Sequence, residues 1–231
     1  MILYNSNKDL LHLEEKILGN CKLGVRKMDL VNQLRNERII AIIRGLEGSA
    51  LQKTADALIK GGIRFLEVTM NTNHASESIA YLKEKYGEST YIGAGTVLNV
   101  ELAKQAIEAG ATYLITPNVH SEVITYAVNQ GIEIWPGAFT PTEIAHAVEL
   151  GARAVKVFPA SFLGPSYIEA VRGPLDQVSL IAVGGVRVDQ FQDYLRAGAI
   201  AVGVGNHLID SKMIQSGRLD QLTERARRFV Q

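Results

Sequence analysis

A single lysine interrupts the apolar run "AVKVFP" (154–159), whose other residues are typical of a buried β-strand. Burial disfavours the charged ammonium, so we expect the pKa of Lys156 to fall and a neutral amine to be present near pH 7. Such an amine attacks a ketone to form a Schiff base, which then accepts electrons as a carbon–carbon bond breaks. Lys156 is therefore the candidate nucleophile. An ion-paired or solvent-reaching structural lysine would give the same pattern.

Three further polar residues lie near the ends of apolar runs. Glu67 in "RFLEVT" is a candidate proton shuttle. Arg44, after "IIAII", can hold a carboxylate through two parallel hydrogen bonds, and Thr96, after "YIGAG", can add a hydroxyl contact. With Lys156 they describe a metal-independent class I aldolase for a 2-keto acid. The alternative is structural: a Lys–Glu bridge, a loop-capping arginine and a threonine bonded to backbone.

The elements that must position these residues alternate in type from residue 39 onward. Amphipathic stretches separate eight candidate strands, so the pattern favours a (β/α)8 TIM barrel in one α/β domain over an open doubly wound sheet. The candidate strands are "IIAII" (39–43), "RFLEVT" (64–69), "YIGAGT" (91–96), "TYLIT" (112–116), "IEIWP" (132–136), "AVKVFP" (154–159), "SLIAV" (179–183) and "IAVGV" (200–204).

Local signals mark the helix ends. In "TPTE" (140–143), Thr140 and Glu143 predict a capping box, and Pro141 suits the first helical turn. Five glycines precede candidate strands, where a helix end favours a left-handed residue. They are Gly62, Gly110, Gly131, Gly151 and Gly198.

Alternation along the strands predicts which side chains enter the barrel. Arg44 shares a side with Ile42, and Lys156 shares one with Phe158. In "YIGAGT", the same rule aligns Thr96 with Ala94. One choice of side sends the four polar residues into the lumen at the C-terminal strand ends, where barrel enzymes have their active sites. The four are Arg44, Glu67, Thr96 and Lys156.

Glycine turns follow the last two candidate strands, in "AVGGV" (182–186) and "AVGVGNH" (201–207). Their backbone N–H groups, at the N-terminus of a following helix, would surround an anion such as phosphate; tight turn geometry alone is the alternative. The candidate phosphate-binding residues are Gly184, Gly185, Gly205 and Asn206. Pro117 and Phe158, at strand ends, are candidates for the apolar pocket wall or for core filler.

Composition excludes several other classes. The 231 residues include 24 Lys+Arg and 24 Asp+Glu, so zero net charge gives no electrostatic argument for nucleic acid or an anionic membrane. Cys21 is the only cysteine, so we expect neither an internal disulfide nor a zinc or other metal site. No apolar stretch has the length of a membrane span, and charges occupy the first twenty residues where a signal peptide would be apolar. A cytoplasmic protein is expected.

Residues 1–27 do not fit the repeat. "DLLHLEEKILGNC" would suit an amphipathic helix over the barrel floor, a disordered extension, or a segment ahead of a natural start at Met28. The predicted organisation is an N-terminal extension, helical or disordered, at 1–27 and one barrel domain at 28–231.

Several stretches resemble the class I family of 2-keto-3-deoxy-6-phosphogluconate (KDPG) and 4-hydroxy-2-oxoglutarate (KHG) aldolases. They are "GGIRFLEVTMNT", "GAGTVLN", "TPTE", "VKVFPA", "GPSYIEAVRGPL" and "AVGVG". The resemblance covers the chain from about Met28 to the C-terminus. It implies a homotrimeric (β/α)8 lyase without a cofactor, which forms pyruvate and glyceraldehyde 3-phosphate from KDPG, or pyruvate and glyoxylate from KHG.

The resemblance also implies residue roles: Lys156 forms the imine, Glu67 is the general acid/base, Arg44 and Thr96 contact the carboxylate, and the glycine turns bind phosphate. Three positions depart from the family pattern, namely Asn71 for an arginine, Val183 for a threonine and Asn206, before His207, for a serine. They leave phosphate affinity and substrate stereochemistry open.

Three alternatives follow. One is the galactonate epimer of KDPG as the substrate. A second is a phosphate-binding barrel isomerase or epimerase without a covalent intermediate. A third is a barrel that has lost its enzymatic activity. It is disfavoured because such a protein has no need for a buried amine that is costly to ionise.

Overall fold

The computed structural model describes residues 29–230, in which parallel strands alternate with helices. The strands are β1 (Ile39–Ile43), β2 (Phe65–Thr69), β3 (Tyr91–Gly95), β4 (Tyr113–Ile115), β5 (Glu133–Trp135), β6 (Gly137–Ala138), β7 (Ala154–Val157), β8 (Ser179–Val183) and β9 (Ala201–Val204). All eight candidate strands are thus confirmed, with ends shifted by a few residues. The predicted extension at 1–27 lies outside the described residues.

The helices follow the strands in the order expected of βα units. They are α1 (Leu30–Glu37), α2 (Gly48–Lys60), α3 (Ala75–Tyr86), α4 (Val100–Glu108), α5 (Ser121–Asn129), α6 (Pro141–Glu149), α7 (Ala160–Leu163), α8 (Pro165–Arg172), α9 (Phe191–Arg196), α10 (Ser211–Gln215) and α11 (Leu219–Val230). No helix within residues 29–230 is both long and apolar enough to span a bilayer.

The sheet curves into a nearly closed barrel. Its strand order is β5-β4-β3-β2-β1-β9-β8-β7-β6, and every pairing is parallel. The single strand expected at 132–136 is instead two short strands on either side of Pro136, which has no N–H for a ladder. β5 pairs with β4 and β6 with β7, while the Lys156 N–H donates to the Pro136 carbonyl at 2.8 Å. The segment around Pro136 thus links β4 to β7 and takes the place of one strand in the predicted (β/α)8 arrangement.

Side chains alternate between two apolar layers. Leu66 and Val68 of β2 belong to the outer layer beneath the helices, whereas Phe65 points into the lumen. There Phe65 is joined by Tyr113 and Trp135, whose rings stack with centroids 4.5 Å apart. The lumen is therefore filled by side chains in its lower part, and a cavity that includes lumen residues opens at the C-terminal strand ends.

Helix α1 covers the floor of the barrel. Its buried residues Leu30, Val31 and Leu34 pack in the same cluster as the lumen side chains. Arg153 joins this helix to the barrel, since it donates to Asp29, the N-cap of α1, at 2.8 Å and to the buried Glu133 at 2.7 Å. The floor is consequently held by both apolar packing and ion pairs.

The predicted turn and cap signals are confirmed. Thr140 and Glu143 form a complete capping box at the start of α6, with Pro141 in its first turn. The five glycines before the strands all have left-handed backbone, with φ between 71° and 101°. These glycines let each helix end turn directly into the next strand.

Candidate active site

A cavity of about 370 Å³ opens at the C-terminal ends of the strands. All ten site residues predicted from the sequence line it. They are Arg44, Glu67, Thr96, Pro117, Lys156, Phe158, Gly184, Gly185, Gly205 and Asn206. The structure therefore brings the predicted set together, while the role of each residue stays a prediction.

Lys156 and Glu67 are the two buried ionisable groups of the cavity. Lys156 is 7% exposed and Glu67 is 2% exposed. Burial lowers the pKa of Lys156, the positive charge of Arg44 lowers it further, and the charge of Glu67 opposes both. Burial likewise raises the pKa of Glu67 against the attraction of Lys156 and Arg44. Both groups are thus shifted towards their neutral forms, as an amine nucleophile and a proton shuttle require.

The walls of the cavity hold the lysine and the arginine. The Nζ atom of Lys156 lies 4.6 Å from the ring centroid of Phe158, so the ring both desolvates the amine and faces any charge on it. The Arg44 guanidinium donates to the Asn71 Oδ1 atom at 3.3 Å. Asn71, which stands where the family pattern has an arginine, therefore accepts a hydrogen bond from Arg44 and orients it.

The alternation of side chains along β3 does not explain why Thr96 lines the cavity. Ala94, which the alternation places on the same side as Thr96, lies in the outer layer beneath the helices, so that part of the prediction is wrong. Thr96 lies just past the end of β3 with a left-handed φ of 55°. This backbone conformation interrupts the alternation of side chains. Thr96 therefore lines the cavity, although strict alternation would have pointed it towards the helices.

The two glycine turns line the other side of the cavity. Gly184 and Gly185 have left-handed backbone, with φ of 98° and 78°, and a Cβ at Gly185 would overlap the Ser161 hydroxyl. The expectation that helices begin directly after these turns is wrong, because α9 begins at Phe191 and α10 at Ser211. An anion here would meet backbone N–H groups of turns, a nest, instead of a helix end.

Sequence reasoning missed two glycines on which the site depends. A Cβ at Gly95 would overlap Oε1 of Glu67, so the glycine makes room for the carboxylate. A Cβ at Gly203 would lie 2.9 Å from the Val183 side chain, at the cavity wall. Glycine inside a strand is the signal that would have found both, since it marks close approach of another group.

The arrangement has the parts for reversible imine chemistry on a small anion. A desolvated amine and a protonatable carboxyl share one end of the cavity. A guanidinium and a hydroxyl, from Arg44 and Thr96, are suited to a carboxylate, and the glycine turns are suited to a second anionic group. The cavity would therefore fit a 2-keto acid with an anion at its far end.

Known proteins similar to this chain agree with that chemistry. The family model described as "KDPG and KHG aldolase" matches residues 30–225. The 2-dehydro-3-deoxy-6-phosphogalactonate aldolase of Escherichia coli is 37% identical over 74% of this chain and 83% of its own length. The 2-dehydro-3-deoxy-phosphogluconate aldolase of Treponema pallidum is 32% identical over 86% of this chain and 94% of its own.

A solved structure gives the same result at the level of the fold. The KDPG aldolase of Legionella pneumophila, with pyruvate captured as a covalent carbinolamine intermediate, superposes with a TM-score of 0.83. It is 26% identical, and the superposition covers 89% of this chain and 100% of the other.

Proposed function

Since the chain belongs to the KDPG and KHG aldolase family, we propose that it cleaves a 6-phosphorylated 2-keto-3-deoxy sugar acid to pyruvate and glyceraldehyde 3-phosphate. The reaction is that of a metal-independent class I aldolase, with Lys156 as the Schiff-base lysine and Glu67 as the general acid/base. The observation that carries the proposal is the lysine in the cavity, whose burial lowers its pKa.

The steps follow from the positions of these two groups. The neutral Nζ of Lys156 adds to the C2 ketone, and Glu67 delivers the proton with which the C2 oxygen leaves as water. The Glu67 carboxylate next accepts the proton of the C4 hydroxyl as the C3–C4 bond breaks. The bonding electrons move into the iminium, which becomes an enamine, and glyceraldehyde 3-phosphate departs. Protonation of C3 and addition of water then release pyruvate and the free amine.

Binding residues orient the substrate around the amine. Arg44, held by Asn71, and Thr96 bind the C1 carboxylate, so that C2 faces Lys156. Backbone N–H groups of the turns at Gly184–Gly185 and Gly205–Asn206 bind the 6-phosphate. Pro117 and Phe158 form the apolar wall that keeps water away from the imine.

The deciding experiment is borohydride reduction in the presence of pyruvate, followed by peptide mass mapping. We expect a pyruvate-derived adduct on Lys156 and none on the exposed Lys85. Lys156→Met should abolish both the adduct and turnover while circular dichroism stays unchanged. A folded wild-type protein without an adduct would instead favour the isomerase or epimerase that needs no covalent intermediate.

The galactonate epimer of KDPG is a second candidate substrate, and both epimers yield the same products. It is supported by Val183, which lines the cavity where a hydroxyl is usual, and by the 37% identity to a phosphogalactonate aldolase. Comparing kcat/KM for the two epimers in the wild type and in Val183→Thr tests this choice. A galactonate preference that the added hydroxyl shifts towards the gluconate epimer supports it; an unchanged ratio contradicts it.

We further propose a homotrimer in the cytoplasm, with turnover of unphosphorylated KHG as a side activity. Phe162 is 84% exposed and Phe139 is 41% exposed, as apolar residues at an interface between copies would be in an isolated chain. Light scattering on the wild type and on Phe162→Ser measures the assembly. A wild-type monomer, or a variant with unaltered mass, would contradict this contact.

A further inference from the structure

Two polar atoms inside the barrel have no hydrogen-bond partner among the described residues. They are the hydroxyl of Tyr113 and the Nε1 atom of Trp135, on side chains that are fully buried. Buried polar atoms in native proteins are almost always paired, because an unpaired one loses its bonds to water without replacement. Trp135 stacks flat on the Tyr113 ring and fixes its plane, so the direction of the tyrosine hydroxyl is set by the fold.

The sheet register places Tyr113 at the level of Glu67. Glu67 pairs with Gly93 across β2 and β3, and Gly93 pairs with Tyr113 across β3 and β4. The strand between the two side chains thus carries no side chain at this level. A Cβ at Gly93 would overlap atoms Cε2 and Cζ of the Tyr113 ring, so the hydroxyl end of the ring lies across β3. The hydroxyl therefore extends along the lumen towards the strand that carries Glu67.

The two groups are chemically complementary. The Tyr113 hydroxyl is a buried donor without an acceptor in the described part of the chain, and the Glu67 carboxylate is an acceptor on a residue that is only 2% exposed. Glu67 is also the one charge that raises the pKa of Tyr113, after burial itself. We propose that the Tyr113 hydroxyl donates a hydrogen bond to the Glu67 carboxylate across one water, and that Tyr113 is a positioning residue for proton transfer.

This inference rests on the proposed function, in which Glu67 moves protons. The charged and titratable groups that face Glu67 are Lys156, Arg44 and Tyr113. Burial raises the pKa of Glu67. A hydrogen-bond donor to the charged carboxylate favours ionisation and so acts against this effect of burial. Removing the hydroxyl leaves burial less opposed, so the pKa of Glu67 should rise further.

Tyr113→Phe deletes the hydroxyl and keeps the stacked ring. The acid limb of the kcat–pH profile should move to higher pH by about one unit, the size expected for one hydrogen bond to a charged group. Activity should fall roughly tenfold below the limb and recover above it. Tyr91→Phe is the matched control, because Tyr91 is a second lumen tyrosine that pairs with Phe65, one level lower. That variant should leave the limb in place.

A double variant separates this role from a structural one. In a Glu67→Gln background, Tyr113→Phe should cause no further shift of the remaining limb, since the acceptor is gone. An unmoved limb, an equal loss at every pH, or an equal shift in Tyr91→Phe would overturn the inference.

A carbon-13 NMR titration of the Glu67 carboxyl, assigned with Glu67→Gln, measures the same shift without turnover. It tests the hydrogen bond even if no pyruvate adduct forms on Lys156 and the aldolase proposal fails. An unchanged Glu67 titration in folded Tyr113→Phe would overturn the hydrogen bond alone and leave the lysine chemistry intact.

Discussion

At the scale of single residues, Lys156 and Glu67 are ionisable groups that folding removes from water. The lowered pKa of Lys156 means that this residue stabilises the fold only above its unfolded pKa, and that the contribution is lost as pH falls through the folded value. The raised pKa of Glu67 means that its contribution is present below the unfolded pKa and lost as pH rises through the folded one. At pH 7 neither group therefore supports the fold.

Replacing both groups should thus stabilise the protein. We expect Lys156→Met/Glu67→Gln to raise the free energy of unfolding at pH 7 by about 1–3 kcal/mol, because similar-sized uncharged groups avoid the desolvation cost. Urea denaturation measures the change. Lys104→Met/Glu108→Gln on the exposed face of α4 is the control and should change the free energy by less than about 0.5 kcal/mol. A less stable site variant would show that the two groups hold the barrel together.

At the scale of elements, strand β3 makes room for Glu67, the proposed acid/base residue. A Cβ at Gly95 would overlap the Glu67 carboxylate, so Gly95→Ala should displace the carboxylate and lower kcat by roughly 100-fold. Steady-state kinetics measure the loss, and the pyruvate adduct on Lys156 should still form. Gly173→Ala is the control, because its Cβ would meet its nearest neighbour at an ordinary 3.4 Å. Wild-type kcat in Gly95→Ala would contradict the packing described here.

The N-terminus of α6 gives a second test at this scale. The Thr140 Oγ1 atom accepts a hydrogen bond from the Glu143 N–H, and the Glu143 carboxylate accepts one from the Thr140 N–H at 2.8 Å. Thr140→Ala should lower the free energy of unfolding by about 1 kcal/mol, the usual cost of a lost cap. Thr142→Ala, exposed in the same turn, should cost less. Equal losses in urea denaturation would mean that the capping box contributes nothing.

The same scale explains what could be predicted from the sequence. Strands, caps and glycine turns are local patterns, so they were predictable, and so was the inward direction of Glu67 and Lys156 within their strands. The route of Thr96 was not, because alternation stops at its left-handed backbone. The break at Pro136 could not be predicted either, because it depends on pairing with two different strands. The contact of Gly95 with Glu67, 28 positions away, was equally unpredictable from local patterns.

At the scale of the whole molecule, one end of the barrel carries the proposed active site and the other end is closed by apolar packing. The cavity lies at the C-terminal strand ends, and every residue that lines it falls between Ile42 and His207. At the opposite end, α1 buries Leu30, Val31 and Leu34 against the lumen cluster. This separation predicts that the two ends respond differently to shortening of the chain.

Two truncations test the separation. A protein that starts at Met28 keeps α1, Asp29 and the bond from Arg153, so we expect wild-type kcat and a change in the free energy of unfolding below about 1 kcal/mol. A protein that starts at Arg38 loses three buried apolar side chains worth roughly 1.5–3 kcal/mol each. That sum approaches the whole stability of an ordinary domain, so this shorter protein should fail to fold.

Circular dichroism, urea denaturation and steady-state kinetics on the two truncations measure these effects. Loss of activity already in the protein that starts at Met28 would mean that residues 1–27 contribute to the site or to its assembly. A folded, active protein that starts at Arg38 would contradict the role of α1, because the lumen side chains Phe65 and Tyr113 would then tolerate a solvent-exposed floor. The expected pair of results is that residues 1–27 are dispensable for catalysis, whereas the eight residues of α1 are required for the barrel.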